Sequence, residues 1–285
     1  MEIQKRVAAI HDISGFGKCS LTVALPVISA AGIETSVIPT AVLSSHTAVK
    51  PGYTCRDLTD DMRPFAAHWK QLGLSFDAIY SGYLGSTEQI AIVCDIIDTF
   101  KIEKTVVIVD PAMADNGKMY ELFDKSFASR MRKLCKKADI IVPNITEAMF
   151  LLEEEYFEGP YTKGFIENTL SRLGNLGPEK VVLTGVCFDE KKIGAACYDS
   201  EKGSVEYYLS DRVNGMFHGT GDVFASALTA ALVRGKDLPT STKIAVDFTV
   251  ESIKRTAAGG TDHRYGVDFE RGLPEFIKAL EAAEN

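Results

Sequence analysis

Short apolar runs alternate with longer amphipathic segments along most of the chain. Runs such as Val106–Val109 are rich in β-branched residues, which is typical of strands buried on both faces of a parallel sheet. Elsewhere apolar residues recur at threes and fours, as in Leu58, Met62, Phe65 and Trp69, which predicts an amphipathic helix. The pattern therefore predicts an α/β fold with a mainly parallel central sheet and helices on both faces.

The predicted elements follow one another in the order strand, then helix, over most of the sequence. The predicted strands are Val7–Ile10, Thr35–Pro39, Ala78–Tyr80, Thr105–Val109, Ile140–Val142 and Val181–Thr184, followed by an antiparallel pair at Ile193–Tyr198 and Val205–Leu209. The predicted helices are Leu21–Ala31, Asp57–Leu72, Thr87–Phe100, Thr146–Glu153, Lys163–Leu173, Val223–Arg234, Ser241–Lys254 and Phe269–Ala283. Because no repeat or linker-like tract divides this series, we predict a single domain over residues 1–285.

Charge and cysteine content exclude several classes of protein. The formal net charge of −8 argues against a nucleic acid or an anionic membrane as the main partner. The six cysteines are scattered without a C-x-x-C pair, which argues against a zinc site. The sequence shows no signal peptide and no uncharged run near the ~18 residues of a membrane span. We therefore expect a cytoplasmic protein with reduced thiols.

Polar side chains follow several of the predicted strands. In parallel sheets, ligands bind at the edge where the carboxyl ends of the strands lie. The polar residues at such positions are Asp12, Ser81, Asp110, Asn144 and Thr184. Their position after five different strands predicts a binding site at this edge.

Two of these positions carry groups suited to magnesium. Asp110 follows an apolar strand, and a buried acid there needs a partner, either Mg²⁺ or a local turn or helix cap. Asn144 and Glu147 are three residues apart, which places them on one side of a first helical turn. They also match a capping box, so capping and contact with a metal-bound water both stay open.

The segment Gly219-Thr220-Gly221-Asp222 precedes a predicted helix. Its glycines allow backbone N–H groups to point together at an anion, aided by the helix N-terminus. Asp222 could take a proton from a hydroxyl group that attacks this anion, as phosphoryl transfer to an alcohol requires. A plain loop capped by Asp222 would have the same sequence.

Two common nucleotide-binding motifs are not found in the sequence. Residues 12–17 form a predicted glycine-bearing turn after the first strand, but Ser20 stands where a dinucleotide fingerprint needs its third glycine. No G-x-x-x-x-G-K-[ST] motif is present. A Rossmann dehydrogenase and a P-loop enzyme are therefore disfavoured. Ser44-Ser45-His46-Thr47, taken by itself, is typical of a solvated turn.

Six segments occur together in a fixed order, and they carry a family resemblance. They are Ser44-Ser45-His46-Thr47, Ser81-Gly82-Tyr83-Leu84-Gly85-Ser86, Asp110-Pro111-Ala112-Met113-Ala114-Asp115, Pro143-Asn144-Ile145-Thr146-Glu147, Val182-Leu183-Thr184 and Gly219-Thr220-Gly221-Asp222. The chain resembles the pyridoxal/pyridoxamine (vitamin B6) kinases of the ribokinase-like superfamily, and the second and third segments make the resemblance specific. It implies phosphorylation of the 5′-hydroxyl of a B6 vitamer by ATP with Mg²⁺.

The resemblance also implies roles for the nucleotide and metal site. Asp222 is expected to be the general base, and the amides of Gly219, Thr220 and Gly221 to stabilise the transferred phosphoryl group and bind ATP. The residues expected to organise Mg²⁺ and its waters are Asp110, Asn144 and Glu147. Those expected to contact ATP are Asp115, Asn144 and Thr184. From its position in the chain alone, the segment Phe188–Met216 is the expected cover over the nucleotide, and a K⁺ requirement stays open.

On the substrate side, the resemblance implies that Thr47 and Tyr83 hold the pyridine ring. The family usually has a serine just after the first strand, whereas this chain has Asp12, with Ser14 two residues later. Because an acid could pair with a protonated pyridine nitrogen or an amine, we hypothesise a preference for pyridoxamine or pyridoxine over pyridoxal.

Two other functions stay open at this point. His218-Gly219-Thr220-Gly221 also suits a hydroxymethylpyrimidine kinase or another small-alcohol kinase of the superfamily. A non-catalytic vitamin- or nucleotide-binding protein on the same fold is the second alternative, and Asp222 argues against it because binding alone needs no base. The resemblance further implies a homodimer.

Overall fold

The computed structural model describes residues 4–47, 49, 52–260 and 262–282. The strands are β1 (Arg6–Ser14), β2 (Glu34–Leu43), β3 (Cys55–Asp57), β4 (Ala78–Ser81), β5 (Val106–Val109), β6 (Ala114–Asp115), β7 (Lys118–Met119), β8 (Ile140–Ile141), β9 (Lys180–Val186), β10 (Lys192–Asp199) and β11 (Ser204–Asp211). The helices are α1 (Leu21–Ala30), α2 (Thr59–Gln71), α3 (Thr87–Phe100), α4 (Lys125–Cys135), α5 (Ile145–Leu152), α6 (Lys163–Gly174), α7 (Thr220–Val233), α8 (Leu238–Gly259) and α9 (Leu273–Ala282). Each predicted strand and helix has a counterpart, and the predicted α/β class is confirmed.

The chain forms two compact units, Met1–Tyr80 with Val213–Asn285, and Ser81–Arg212. The single domain over residues 1–285 stays a prediction. Within the described residues, no helix combines the length and the apolar character needed to cross a membrane.

In the first unit, β1 pairs in parallel with β2, and β2 pairs antiparallel with β3. The side chains of residues 7–10 are almost fully buried, as expected for a strand covered on both faces. The ladder continues past an irregularity between His11 and Ile13 to the pair Ser14 and Leu43. Asp12 and Ser14 therefore lie in the strand itself, and the prediction that the turn begins at Asp12 is wrong.

In the second unit, β5, β8 and β9 are parallel neighbours, and β10 and β11 extend this sheet antiparallel. The predicted antiparallel pair is confirmed. A two-stranded sheet of β6 and β7 was not predicted. Its turn residues Asn116 and Gly117 have positive φ angles of 50° and 75°, and Asn-Gly is the pair that two-residue hairpins prefer.

Several element boundaries differ from the predicted ones for local reasons. Asp57 belongs to β3, and its carboxylate accepts the N–H of Thr59 at the start of α2. Asp237 caps α8, which therefore begins before Ser241. The predicted last helix starts instead with a 3-10 turn at Glu270–Gly272, and Ala283 lies outside the described residues.

Helix α4 was not predicted at all. Asp124 caps it by accepting N–H groups of the first turn, and Phe127, Met131 and Leu134 are buried on one face. Their spacing is the helical one, so the signal was present in the sequence.

Candidate active site

The turn that contains Asp222 is the start of helix α7. The helix begins at Thr220, and its N-cap is Gly219 in the left-handed conformation with φ of 73°. A β-carbon on Gly219 would overlap the carbonyl oxygen of Lys18, so this position requires glycine. Gly219 provides no side-chain cap, which leaves the first-turn N–H groups of α7 without the usual side-chain acceptor. Asp222 lies in the first turn and is not the cap.

Gly221 lies in the same first turn and serves a different purpose. Its φ is not positive, and apart from its chain neighbours and the nearby backbone of α7 itself, no heavy atom of the described residues lies within 4 Å of the place where its β-carbon would be. The backbone is thus open on this side of the helix N-terminus. A group with negative charge could approach the N–H groups here, where the helix dipole favours it.

Asp222 is half-buried, and the backbone N–H of Ser20 lies near its carboxylate. Burial raises the pKa of Asp222 to about 7, and the nearby charge of Asp12 acts in the same direction, whereas the N–H of Ser20 opposes the shift. A base with a pKa near the working pH is the kind that general-base catalysis favours.

Asp12 is buried close to Asp222. Its carboxylate accepts the hydroxyl of Ser14 at 3.3 Å, and the side chain of Ser20 lies nearby. Burial raises the pKa of Asp12, and the two hydroxyls and the neighbouring His46 oppose this. The charged form therefore has partial compensation, and a cationic group would stabilise it further.

The Ser44–Thr47 segment is not a solvated turn as a whole, because Ser45 and His46 are buried. His46 Nε2 lies 2.5 Å from the carbonyl oxygen of Arg264, and since a carbonyl only accepts, Nε2 is the donor. The His46 ring also contacts the ring of His218, with centroids 5.5 Å apart. Thr47 is exposed.

In the second unit, Asn144 and Glu147 form the capping box of α5. Asn144 Oδ1 accepts the N–H of Glu147, and Glu147 Oε2 accepts the N–H of Asn144, each at 2.9 Å. Glu147 Oε1 accepts the N–H of Met113 at 3.1 Å, and Asn144 Nδ2 donates to the carbonyl of Ala114 at 2.9 Å. Burial raises the pKa of Glu147 to about 8 although these N–H groups oppose it. Asn144 and Glu147 therefore fix the backbone of Met113 and Ala114, which directly precede Asp115.

Asp110 and Asp115 are the other two acids of this unit. Asp110 is buried at the end of β5. Burial raises the pKa of the Cys135 thiol, and the charges of Glu147 and Asp110 add to the shift, which places the two acids in one region. Asp115 is exposed, and its carboxylate accepts two hydrogen bonds from Asn116.

Thr184 and Tyr83 complete the predicted residues of the second unit. Thr184 forms an isolated bridge with Asn144, and its N–H donates to the carbonyl of Pro143 at 2.9 Å. Thr184 therefore lies next to the capping box of α5. Tyr83 is half-buried and its ring contacts the rings of Tyr120 and Phe123.

The structure thus brings the predicted residues into two groups. In the first unit, Asp12 and Ser14 lie with Asp222 and the start of α7. In the second unit, Asn144, Glu147, Thr184 and the backbone before Asp115 lie together. No group of three or more His, Cys, Asp or Glu within the described residues is placed to hold a metal ion.

Sequence reasoning missed Ser20, which lies near both Asp12 and Asp222. It also missed Cys19, whose thiol donates to the hydroxyl of Ser14 at 3.2 Å. The sequence signal for Ser20 was its place in a turn where related nucleotide-binding loops carry glycine.

Comparison with known proteins identifies the family. Residues 63–266 match the phosphomethylpyrimidine kinase family. A crystal structure of a protein from Bacteroides thetaiotaomicron, provisionally assigned as a phosphomethylpyrimidine kinase, is 37% identical, with a TM-score of 0.94 over 100% of this chain and 96% of that one. A second crystal form of that protein, orthorhombic, contains pyridoxal.

Pyridoxal kinases are similar as well. The structure of pyridoxal kinase from Lactobacillus plantarum is 30% identical, with a TM-score of 0.89 over 100% of both chains. A protein of Schizosaccharomyces pombe, provisionally assigned as a pyridoxal kinase, is 25% identical over 205 residues, which are 69% of this chain and 58% of that protein. The chain spans about half the length of such curated relatives, 58% and 42% in two of them.

These similarities confirm the ribokinase-like resemblance that the motifs predicted. The match covers well over half of the sequence and includes the Asp222 turn. The chain therefore belongs to the phosphomethylpyrimidine kinase family.

Proposed function

We propose that the protein transfers the γ-phosphoryl group of ATP to the 5′-hydroxyl of a vitamin B6 vitamer, in salvage of pyridoxal 5′-phosphate. The observation that carries this proposal is the first turn of α7. There a carboxyl group with a pKa of about 7 stands beside a helix N-terminus that has no side-chain cap and is open at Gly221. A proton acceptor next to an anion-binding helix end is what phosphoryl transfer to an alcohol needs.

Asp222 is the proposed general base. It takes the proton of the 5′-hydroxyl while that oxygen forms a bond to the γ-phosphorus and the bond to the ADP oxygen breaks. The N–H groups of Gly219–Asp222 donate to the transferred group, whose negative charge is spread over its outer oxygens in the transition state. Such transfer depends mainly on positioning and charge stabilisation, so a rigid turn is an advantage.

The residues of the second unit fit a magnesium ion that arrives with the nucleotide. Mg²⁺ takes oxygen ligands, keeps several waters and is often held by one or two carboxylates with substrate phosphates. Asp110 is the proposed carboxylate, whereas Asn144 and Glu147 are engaged with backbone groups and would act by fixing the region around the ion. When bound, the ion would neutralise charge on the phosphates. Asp115 and Thr184 are proposed to contact ATP.

For the vitamer we propose Thr47, Tyr83, Asp12 and Ser14 as ring-binding residues. A half-buried aromatic ring such as Tyr83 offers a face for the pyridine ring. Asp12 offers a carboxylate for a protonated nitrogen. The pyridoxal found in one crystal form of the Bacteroides protein supports this substrate class.

The second candidate is phosphorylation of a hydroxymethylpyrimidine. It is favoured by the match over residues 63–266 to the phosphomethylpyrimidine kinase family. Both substrates carry a hydroxymethyl group on a flat nitrogen ring, so the same base and helix end would serve either of them.

A substrate panel separates the candidates. The purified protein would be incubated with ATP and Mg²⁺ and, in turn, pyridoxal, pyridoxamine, pyridoxine, hydroxymethylpyrimidine and ribose, with ADP release as the readout. We expect the highest kcat/KM with a B6 vitamer. Turnover of hydroxymethylpyrimidine alone would favour the second candidate, and binding without turnover of any alcohol would favour a non-catalytic binding protein.

Three further properties belong to the same proposal. We propose a cytoplasmic location, a homodimer and no dependence on nucleic acid or membrane, in line with the net charge of −8. A stimulation by K⁺ would be tested by replacing K⁺ with Na⁺ in the assay.

A further inference from the structure

The 3-10 turn His263–Tyr265 directs its three backbone carbonyls at three separate parts of the first unit. The first carbonyl accepts the N–H of His218 at 3.4 Å. The second accepts the Nε2–H of His46 at 2.5 Å, and the third accepts the N–H of Lys18 at 2.9 Å. This one turn thus joins the segment before α7, the segment that carries Thr47 and the loop before α1.

His46 contributes the only side chain among these three donors. It is buried, with 7% of its surface exposed, and its ring lies against Gly17, where a β-carbon would overlap the ring. The centroid of the ring is 5.5 Å from that of His218, which directly precedes the N-cap of α7. The same ring therefore contacts the loop before α1, the segment before α7 and the turn itself.

The turn is fixed at both of its ends. At its start, the carboxylate of Asp262 accepts the N–H of Arg264 at 3.0 Å, as an N-cap does. At its end, Gly266 has a φ of 102° and lies so close to Lys18 that a β-carbon would overlap the lysine backbone. Because the cap and this close contact leave the turn little freedom, its three carbonyls keep defined positions.

We propose that His46 is a positioning residue: by donating to the turn, it holds the segment that carries Thr47 against the start of α7 and so keeps the vitamer in register with Asp222. This inference rests on the proposed function, in which Thr47 binds the vitamer and Asp222 is the base. His46 acts through the backbone of its neighbour and not by contact with the substrate. A displacement of about 1 Å at the reacting groups can lower the rate about 10²-fold, so the register between these two residues matters.

Two substitutions separate the hydrogen bond from the packing of the ring. His46→Phe keeps a flat ring against Gly17 but has no donor for the carbonyl of Arg264. His46→Gln loses the ring but keeps an N–H donor. We expect His46→Phe to lower kcat with a B6 vitamer about 10-fold and to raise KM for the vitamer, with KM for ATP nearly unchanged. His46→Gln should retain more of the wild-type kcat.

The order of the two variants decides between the hydrogen bond and the ring. If His46→Gln loses as much kcat as His46→Phe, or more, the packing of the ring is responsible and the inference is overturned. A variant that lowers the melting temperature but keeps the wild-type kcat and both KM values well below that temperature would show a purely structural role. That result also overturns the inference.

His68→Phe is the matched control for the change of residue type. His68 is exposed on α2, and none of the hydrogen bonds that the described residues make to the turn involves it. Its steady-state kinetics should equal those of the wild type. If His68→Phe lowers kcat as much as His46→Phe, the loss does not come from the turn, and the inference fails.

Amide hydrogen exchange gives a measurement that does not depend on turnover. In His46→Phe the N–H of Lys18 should exchange at least about 10-fold faster than in the wild type, because the turn that accepts it has lost one of its three bonds. The N–H of Ala24, which donates to the carbonyl of Ser20 in the first turn of α1 at 2.9 Å, should exchange at an unchanged rate.

Equal exchange of the Lys18 N–H in both proteins overturns the inference, as does an acceleration that is the same at Lys18 and at Ala24, since that would be a general loss of stability. Failure of the proposed function would instead appear as a wild-type protein that phosphorylates no alcohol in the panel, whatever the exchange rates show.

Discussion

Gly219 lies so close to the carbonyl group of Lys18 that no β-carbon fits between them. This contact fixes the N-terminus of α7 against the loop that precedes α1, and the same loop places the N–H of Ser20 near the carboxylate of Asp222. The relationship explains why the two glycines of the turn have different roles. Gly219 is required by its left-handed backbone and by this contact, whereas Gly221 keeps the helix end open.

Gly219→Ala and Gly221→Ala should therefore differ in stability. Gly219→Ala combines a positive φ of 73° with overlap on a backbone atom, and we expect it to destabilise the protein by more than about 1 kcal/mol. Gly221→Ala has free space and a helical position, so its stability should be equal or up to about 1 kcal/mol higher.

The activities of Gly219→Ala and Gly221→Ala give a second comparison. We expect Gly221→Ala to lower kcat/KM for ATP although it is well folded, because its methyl group would stand where the phosphate approaches the N–H groups. Thermal melts and steady-state kinetics of both variants provide the check. A fully active Gly221→Ala would show that the helix end does not bind the nucleotide.

Asp222→Asn should separate binding from catalysis. Asparagine keeps the size of the side chain and removes the proton acceptor, so kcat should fall by about 10²-fold or more. ATP binding, measured by calorimetry, should stay nearly unchanged because the N–H groups of α7 are intact. Equal losses in binding and in turnover would indicate that Asp222 only supports the local structure.

The titration of Asp222 should affect how the stability of the protein depends on pH. Its pKa in the folded protein is about 7, above the ordinary value of about 3.9 in an unfolded chain. Between these two values the folded state holds the proton more tightly, so the free energy of unfolding decreases as pH rises from about 4 to 7.

Asp222→Asn removes this penalty, and its melting temperature should exceed that of the wild type by a few degrees at pH 8. The two proteins should melt at nearly the same temperature below about pH 4, where Asp222 is largely protonated in both the folded and the unfolded state. A melting difference that does not change with pH would argue against the raised pKa. Activity should show the opposite trend, with an acid limb near pH 7 as Asp222 loses its ability to accept a proton.

Much of this site could be predicted from the sequence, because strands and helices are set by local patterns. The apolar runs located the strand ends that carry Asp110 and Asn144, and the Gly-Thr-Gly-Asp segment located the start of α7. Asn116-Gly117 and the apolar face of α4 also carry a local sequence signal of the same kind. The proximity of Ser20 to Asp222 could not be predicted, since these positions are about 200 residues apart and meet through the packing of α1 against α7.

For Glu147, the sequence resemblance implies a role at Mg²⁺, whereas the structure shows a capping residue of α5. Its two carboxylate oxygens accept the N–H groups of Asn144 and Met113, and the amide group of a glutamine would place a donor against one of them. Glu147→Gln should therefore destabilise the protein by about 1–3 kcal/mol. The Mg²⁺ concentration for half-maximal activity should change less than in Asp110→Asn. A larger change in Glu147→Gln than in Asp110→Asn would assign Glu147 a direct part in holding the ion and its waters.

We expect Asp12 to determine which B6 vitamer is the preferred substrate. It is buried at the end of β1 beside Asp222, and because burial disfavours its charge, a cationic group of the substrate is the partner that would compensate it best. Pyridoxamine brings an additional amine, so the wild type should prefer pyridoxamine or pyridoxine over pyridoxal.

Asp12→Ser should shift this preference toward pyridoxal, measured as the ratio of kcat/KM values for the three vitamers. Asp12→Asn is the matched control, since it keeps the shape and removes only the charge. If both variants shift the ratio alike, the charge is responsible, whereas a shift in Asp12→Ser alone would assign the effect to size. Unchanged ratios in both variants would show that the amine and the ring nitrogen are recognised elsewhere.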